Sequence, residues 1–181
     1  MKTRLVILLT ATLALLGRPA RAGESSLGVD VGYVKANRVD ATLFFNGNFR
    51  FHLSKRFAME PEFSYWRKSQ TALGFTASIE DLQFGANLLL VLPVGRNLEV
   101  FGGGGGGLHQ ITGNLAAGGV SGVSDSITQG GLDLQVGADV KASDGLSFFV
   151  GARHDWVLGL SGDDPRRLDQ AKFFGGFRVR F

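Results

Sequence analysis

The sequence has no cysteine. That excludes disulfides and thiolate metal sites, and it excludes a lipoprotein leader, which needs a cysteine after the cut. It also lacks an apolar run that would cross a bilayer comfortably as a helix. The stretch LVILLTATLALLG, Leu5–Gly17, falls short of the ~20 residues required. Helical periodicity is missing after Gly23, and 27 glycines would be costly in helices. A lasting excess of one charge is missing too. The whole chain carries 19 basic and 16 acidic residues, but Lys2, Arg4, Arg18 and Arg21 lie in the first segment, which holds no acid. Without those four, 15 basic residues face 16 acidic ones, a net charge of −1. The basic pI therefore belongs to the leader, and nucleic acid is not an expected partner.

That first segment has the layout of a secretory signal peptide. MKTR is a short basic start, the apolar run follows, and ARA at Ala20–Ala22 is the small-x-small pattern of a cleavage site. The expectation is a cleaved signal peptide over residues 1–22 and one domain over residues 23–181.

What the domain does have is alternation with a period of two. In TLFFNGNFRFHL, Leu43, Phe45, Phe49, Phe51 and Leu53 share one face, and Asn46, Asn48, Arg50 and His52 the other. Leu82, Phe84, Ala86, Leu88 and Leu90 alternate with Gln83, Gly85 and Asn87. Leu132, Leu134, Val136, Ala138 and Val140 alternate with Asp133, Gln135, Gly137, Asp139 and Lys141. Similar patterns start at Leu27, Phe57 and Leu146. Tight turns are expected at Ser54–Arg56, Pro93–Asn97 and Ala142–Gly145. Longer polar connections are expected at Lys35–Ala41, Arg67–Ile79, His109–Thr128 and Leu158–Ala171. Short connections alternating with long ones predict a closed antiparallel up-and-down β-barrel of about eight strands of about ten residues.

Which face points inward is decided by what each face carries. The polar face mixes charges of both signs with many glycines, such as Gly28, Gly32, Gly85, Gly103, Gly137, Gly151 and Gly176. A crowded narrow lumen needs such small residues, and a water-facing surface does not. The apolar face carries Tyr33, Tyr65, Trp156 and Phe181 near strand ends, as lipid interfaces favour. Together with the export leader, this predicts an outer-membrane barrel rather than a soluble one.

The stretch FFGGFRVRF, Phe173–Phe181, resembles the C-terminal strand of bacterial outer-membrane β-barrels. Phe173, Phe177, Val179 and the final Phe181 fit its alternating apolar positions, and Gly175 is the weak step. The chain as a whole resembles a small OmpA- or OmpX-type barrel domain. The resemblance implies location in the bacterial outer membrane, contact with its lipid and lipopolysaccharide, and recognition of the terminal strand by the barrel-assembly machinery. It implies no particular activity.

Asp30, Arg50, Glu60, Glu62, Asp133, Asp139, Lys141, Arg153, Asp155, Arg178 and Arg180 are expected to line the lumen. Unpaired charges there would be expensive, so they should form networks that fill the barrel as a polar plug, with a selective conduit as the alternative. A turn centred on Lys55 sets Arg50 opposite Glu60 and Asn48 opposite Glu62. Arg178 and Arg180 are expected to find Asp30 as their nearest acid, because the first and last strands should pair to close the barrel.

Chemistry is thinly represented. FGGGGGGLHQ, Phe101–Gln110, has no Lys-Ser/Thr and no helix pattern after it, so it reads as a strand rather than a phosphate loop. Its outward Gly102, Gly104 and Gly106 should leave a shallow groove toward lipid. His52, His109 and His154 are not spaced as metal ligands. His154-Asp155 lacks a serine two positions away, which breaks the pattern of outer-membrane lipid-modifying hydrolases. Asp163–Lys172 reads as a solvated external loop. The expected protein is no enzyme and takes no cofactor. It has a structural or surface-interaction role through its external loops, with a narrow porin-like conduit and a lipid-modifying enzyme as the alternatives.

Overall fold

The computed structural model describes residues 25–37, 39–72, 75–117, 122–158 and 168–181. The expected signal peptide lies outside these residues, as does most of the Leu158–Ala171 connection. Eight antiparallel strands follow one another around a closed barrel: β1 (Ser25–Ala36), β2 (Thr42–His52), β3 (Phe57–Ala72), β4 (Phe75–Pro93), β5 (Leu98–Ala117), β6 (Ser124–Lys141), β7 (Leu146–Val157) and β8 (Gln170–Arg180). Strands β1 and β8 close the ring over the register Ser26↔Arg180 to Ala36↔Gln170, and Phe181 N–H donates to Ser25 O at 2.9 Å. Closure leaves no sheet edge within the ring, as a span through hydrocarbon demands.

The turn around Lys55 gives the register Phe51↔Met59 and Asn48↔Glu62. Between those rungs the ladder skips Pro61, which has no N–H to donate. The other tight turns lie at residues 94–97 and 142–145. Gly95 sits at φ 126°, a conformation that side chains disfavour, and so sharpens the first of these.

The outward face is apolar. Phe45, Phe84, Leu88, Leu134, Val150 and Phe173 are each exposed to the surroundings. The inward face combines charge with small residues, and Gly32, Gly137 and Gly151 have a specific use. A Cβ on Gly137 would lie 2.3 Å from the Phe101 ring, and one on Gly151 2.5 Å from that of Phe174. Each pair is directly cross-strand (Phe101↔Gly137, Gly151↔Phe174, Gly32↔Phe44), so an inward ring lies flat over a bare neighbour.

Strand lengths depart from the expectation of about ten residues. β1, β2, β7 and β8 have 11 or 12 residues, whereas β3, β4, β5 and β6 have 16, 19, 20 and 18. The stretches expected as loops at Arg67–Ile79 and His109–Thr128 are mostly paired strand, with Ala72↔Phe75 and Asn114↔Ser124 near their tips. The connections look polar because the outward residues there are hydroxyls, not because the ladder stops. Expected loop residues Gln170–Lys172 likewise belong to β8, and Leu168 just before it is buried.

Candidate functional site

All the charges named from the sequence point into the barrel, carried by strands β1, β2, β3, β6, β7 and β8. Arg50 Nε donates to Glu60 Oε2 at 2.6 Å, and Gln135 Nε2 donates to the other oxygen at 3.2 Å. Arg178 reaches the same carboxylate at 3.0 Å and Asp139 at 2.6 Å. Arg153 is held by Glu62 and Asp155 and lies 3.7 Å from Asp133. At the rim with the tight turns, Arg180 bridges Asp139 at 2.9 Å and Glu99 at 3.3 Å, and Glu99 pairs with Lys141 at 3.1 Å.

Asp30 is not the partner of Arg178 or Arg180. It accepts hydrogen bonds from Asn46 at 2.9 Å and Asn48 at 3.1 Å. The β1–β8 register places it beside Gly176, while the long arginine side chains reach across the lumen to β3, β5 and β6. Lys172, expected in a solvated loop, is instead buried in the lumen with Asp155 at 2.8 Å and Gln83 at 2.7 Å.

Several lumen residues escaped the sequence reading. Three inward aromatics carry the cations: Arg50 lies 4.3 Å above the Phe101 ring, Arg178 4.3 Å above Phe149, and Lys172 5.6 Å from Phe44. Each ring has the sequence parity of the polar face, which was the signal available. Above the charges, Asp81 lies 2.9 Å from His109 Nδ1 and accepts from Gln170, whose Oε1 accepts from Trp66 Nε1 at 3.1 Å.

Apolar residues then close the lumen. Val34, Phe44, Trp66, Ile111 and Val157, from different strands, and Leu168, just before β8, pack into one cluster with Ile79 and Ile127 against it. A second cluster of Ala58, Leu89, Val91 and Phe101 lies toward the tight turns. Between them, the void bounded by Asp30, Glu60, Glu62, Arg153 and Arg178 has a volume of about 10 Å³, room for about one water.

Beyond the apolar closure the long strands rise as an open half-barrel. Their outward residues are Ser69, Thr71, Thr76, Thr112, Ser126 and Thr128, with hydroxyl pairs Thr71–Thr76 at 3.0 Å and Thr112–Ser126 at 3.1 Å. Their inward face is a cleft of about 480 Å³ that includes Val39, Ala77, Ile79, Leu115 and Val123.

The histidines are not brought together. His154 meets Trp156 edge to face at 4.6 Å between ring centres, and both have the outward parity of β7, while Asp155 points inward. Among the described residues no cluster of three or more His, Cys, Asp or Glu is arranged to hold a metal ion.

The family model for the outer membrane protein beta-barrel domain matches residues 6–181. The chain belongs to the outer-membrane β-barrel family. It is a protein of the bacterial outer membrane, surrounded by the lipid and lipopolysaccharide in which such barrels sit. Solved structures agree on the fold. Neisserial surface protein A is similar with a TM-score of 0.69 at 12% identity, covering 88% of this chain and 99% of that one. A major outer membrane protein from Thermus thermophilus gives 0.64 at 12% identity, covering 87% and 99%. Ail, the attachment invasion locus protein of Yersinia pestis, crystallised with the heparin analogue sucrose octasulfate, gives 0.58 at 17% identity, covering 88% and 99%. No curated protein sequence matches the chain.

Proposed function

We propose that this protein is a non-conducting surface-contact protein. The barrel fixes it in the outer membrane, and the raised part of β3–β6 meets partners outside the cell. The observation that carries this reading is the contrast between a central lumen void with room for about one water and an open sheet standing above it. A conduit needs a continuous wet path, whereas here paired charges and two apolar clusters occupy the path. Among the described residues the raised sheet also has two edges without a ladder partner: β3 beyond Arg67 on its β2 side and β6 before Gly130 on its β7 side. Such edges offer backbone groups to an extended segment of another protein. The His154-Asp155 pair lends no support to a catalytic role, since the two side chains face opposite sides of the wall.

The terminal strand is part of the same reading. Phe173, Phe177, Val179 and Phe181 all face outward, and we assign them the role of assembly signal.

Planar-bilayer recording of the refolded full chain tests the first half of the proposal. The expected trace is flat, and stable conductance steps would overturn it. Adhesion of cells displaying the protein to host-matrix surfaces tests the second half. Shortening the β3–β4 and β5–β6 hairpins to the level of Trp66 should abolish it, and unchanged adhesion would count against the raised sheet.

A further inference from the structure

The raised cleft has charge as well as apolar surface. The ladder runs Lys68↔Ile79, Ile79↔Gly113 and Gly113↔Asp125, so one layer crosses all four long strands. Lys68 stands on one wall and Asp125 on the other, both lining the cleft. Neither side chain has an ion pair or hydrogen bond to any described residue. Between them lie Ile79 and a bare Gly113, whose missing side chain would meet nothing within 4 Å. The next layer up adds Ala77, Leu115 and Val123. A volume of about 480 Å³ lies within the usual range for small-ligand sites.

We propose that this cleft binds a short apolar peptide with free ends, its carboxylate at Lys68 and its ammonium at Asp125. Three strand spacings separate the two walls, ~14 Å along the curved sheet and less across it. Extended chain covers ~3.3–3.6 Å per residue, so two to four residues bridge the gap once the lysine side chain reaches inward. Apolar side chains on the peptide then rest on Ile79, Leu115 and Val123. A fatty acid would answer Lys68 and leave Asp125 facing hydrocarbon, and an apolar solute would answer neither. The zwitterion is the occupant that satisfies both walls.

The inference rests on the raised sheet being the working part of the molecule, but the two fail separately. A conducting barrel would remove the surface-contact reading and leave peptide binding intact, and absent peptide binding would leave the closed barrel intact.

The test is calorimetric titration of the full chain in lipid nanodiscs with trileucine, against empty nanodiscs. Trileucine should bind, and its acetylated and amidated form should bind about tenfold more weakly or not at all, since both charge-assisted contacts are lost. Gly113→Trp should fill the cleft and abolish binding. Lys68→Asp and Asp125→Lys should each weaken it about tenfold, and the double exchange should restore it with the peptide reversed. Equal affinity for the capped peptide, unchanged binding by Gly113→Trp, or no binding of trileucine to the unaltered chain would each overturn the proposal. The capped-peptide comparison needs no variant, so it stands even where a substitution fails to fold.

Discussion

Strands β3–β6 each pass through two environments, and on β4, β5 and β6 the side-chain pattern inverts between them. Within the membrane the outward residues of β6 are Leu132, Leu134, Val136, Ala138 and Val140, and the inward ones are Asp133, Gln135 and Asp139. Further along the same strand the outward residues are Ser124, Ser126 and Thr128, while Ile127 turns inward. On β4 the switch falls between Ile79, inward, and Leu82, outward. On β5 it falls between Leu108 and Ile111. The backbone ladder runs through the change without interruption. What changes is the medium on each side. On the surface-contact reading, hydrocarbon surrounds the barrel and polar groups fill it, whereas water surrounds the raised sheet and its inward isoleucines cover the top of the lumen. Face polarity is thus a property of height as well as of strand.

The sharpest way to stress the comparison is to unbalance the lumen. Glu60 holds both Arg50 and Arg178 and is buried. Glu60→Ala strands the Arg50 guanidinium and leaves Arg178 with Asp139 as its ion-pair partner in a nearly dry space, at a cost of roughly 3–5 kcal/mol. Urea unfolding in lipid vesicles should show it as a lowered midpoint, and Glu60→Gln should fall between the two. If the alanine variant unfolds at the wild-type midpoint, water fills the lumen and the plug is not dry.

Val136→Lys comes next. Val136 is outward and near the middle of the apolar stretch of β6, paired with Gly102 and Ala152. A lysine there should cost roughly 2–4 kcal/mol in the same assay. A much smaller cost would mean that this face does not meet the bilayer core.

How much of this was readable beforehand divides along the same line. Wherever lipid lies outside, parity alone orients the side chains, so Asp133, Arg153 and Arg178 were readable as inward and Phe177 as outward. The Lys55 turn likewise fixed Arg50 beside Glu60, because a short turn leaves little freedom in register. Pairings across the lumen were not readable. Strand order gives neighbours, but Arg178 passes over its neighbour Asp30 and reaches Asp139, on β6. The raised sheet is hidden in the sequence because its alternation is short, polar and out of phase: TASIE at Thr76–Glu80 alternates with the opposite parity. Lys172 was misplaced for a related reason: the charged stretch before it suggested solvent, yet β8 already begins at Gln170.

Val179→Arg examines the opposite rim. Val179 faces outward and pairs with Leu27 and Leu146. A charge there sits near the interface and should cost roughly 0–1 kcal/mol. Deleting Phe181 should instead lower the amount of folded barrel in the outer membrane more than it lowers the stability of refolded protein. Wild-type levels of the deletion variant, read on a heat-modifiability gel of envelope fractions, would remove the assembly role assigned to this residue.

The smallest effect is the most direct test of the inversion. Ser126 lies on the same strand and the same face as Val136, but in the raised sheet, where its hydroxyl accepts from Thr112 at 3.1 Å. Replacing it by lysine puts a charge into water rather than hydrocarbon and removes one exposed hydrogen bond. Surface changes of this kind usually stay within about 0.5 kcal/mol. The two lysines differ only in height along β6, so the difference in their unfolding midpoints measures the boundary itself. A large cost for Ser126→Lys would mean that lipid reaches this level. The hydroxyl ladder would then belong to the membrane span, and the inverted face above it could not be the solvent-exposed surface on which the contact role depends.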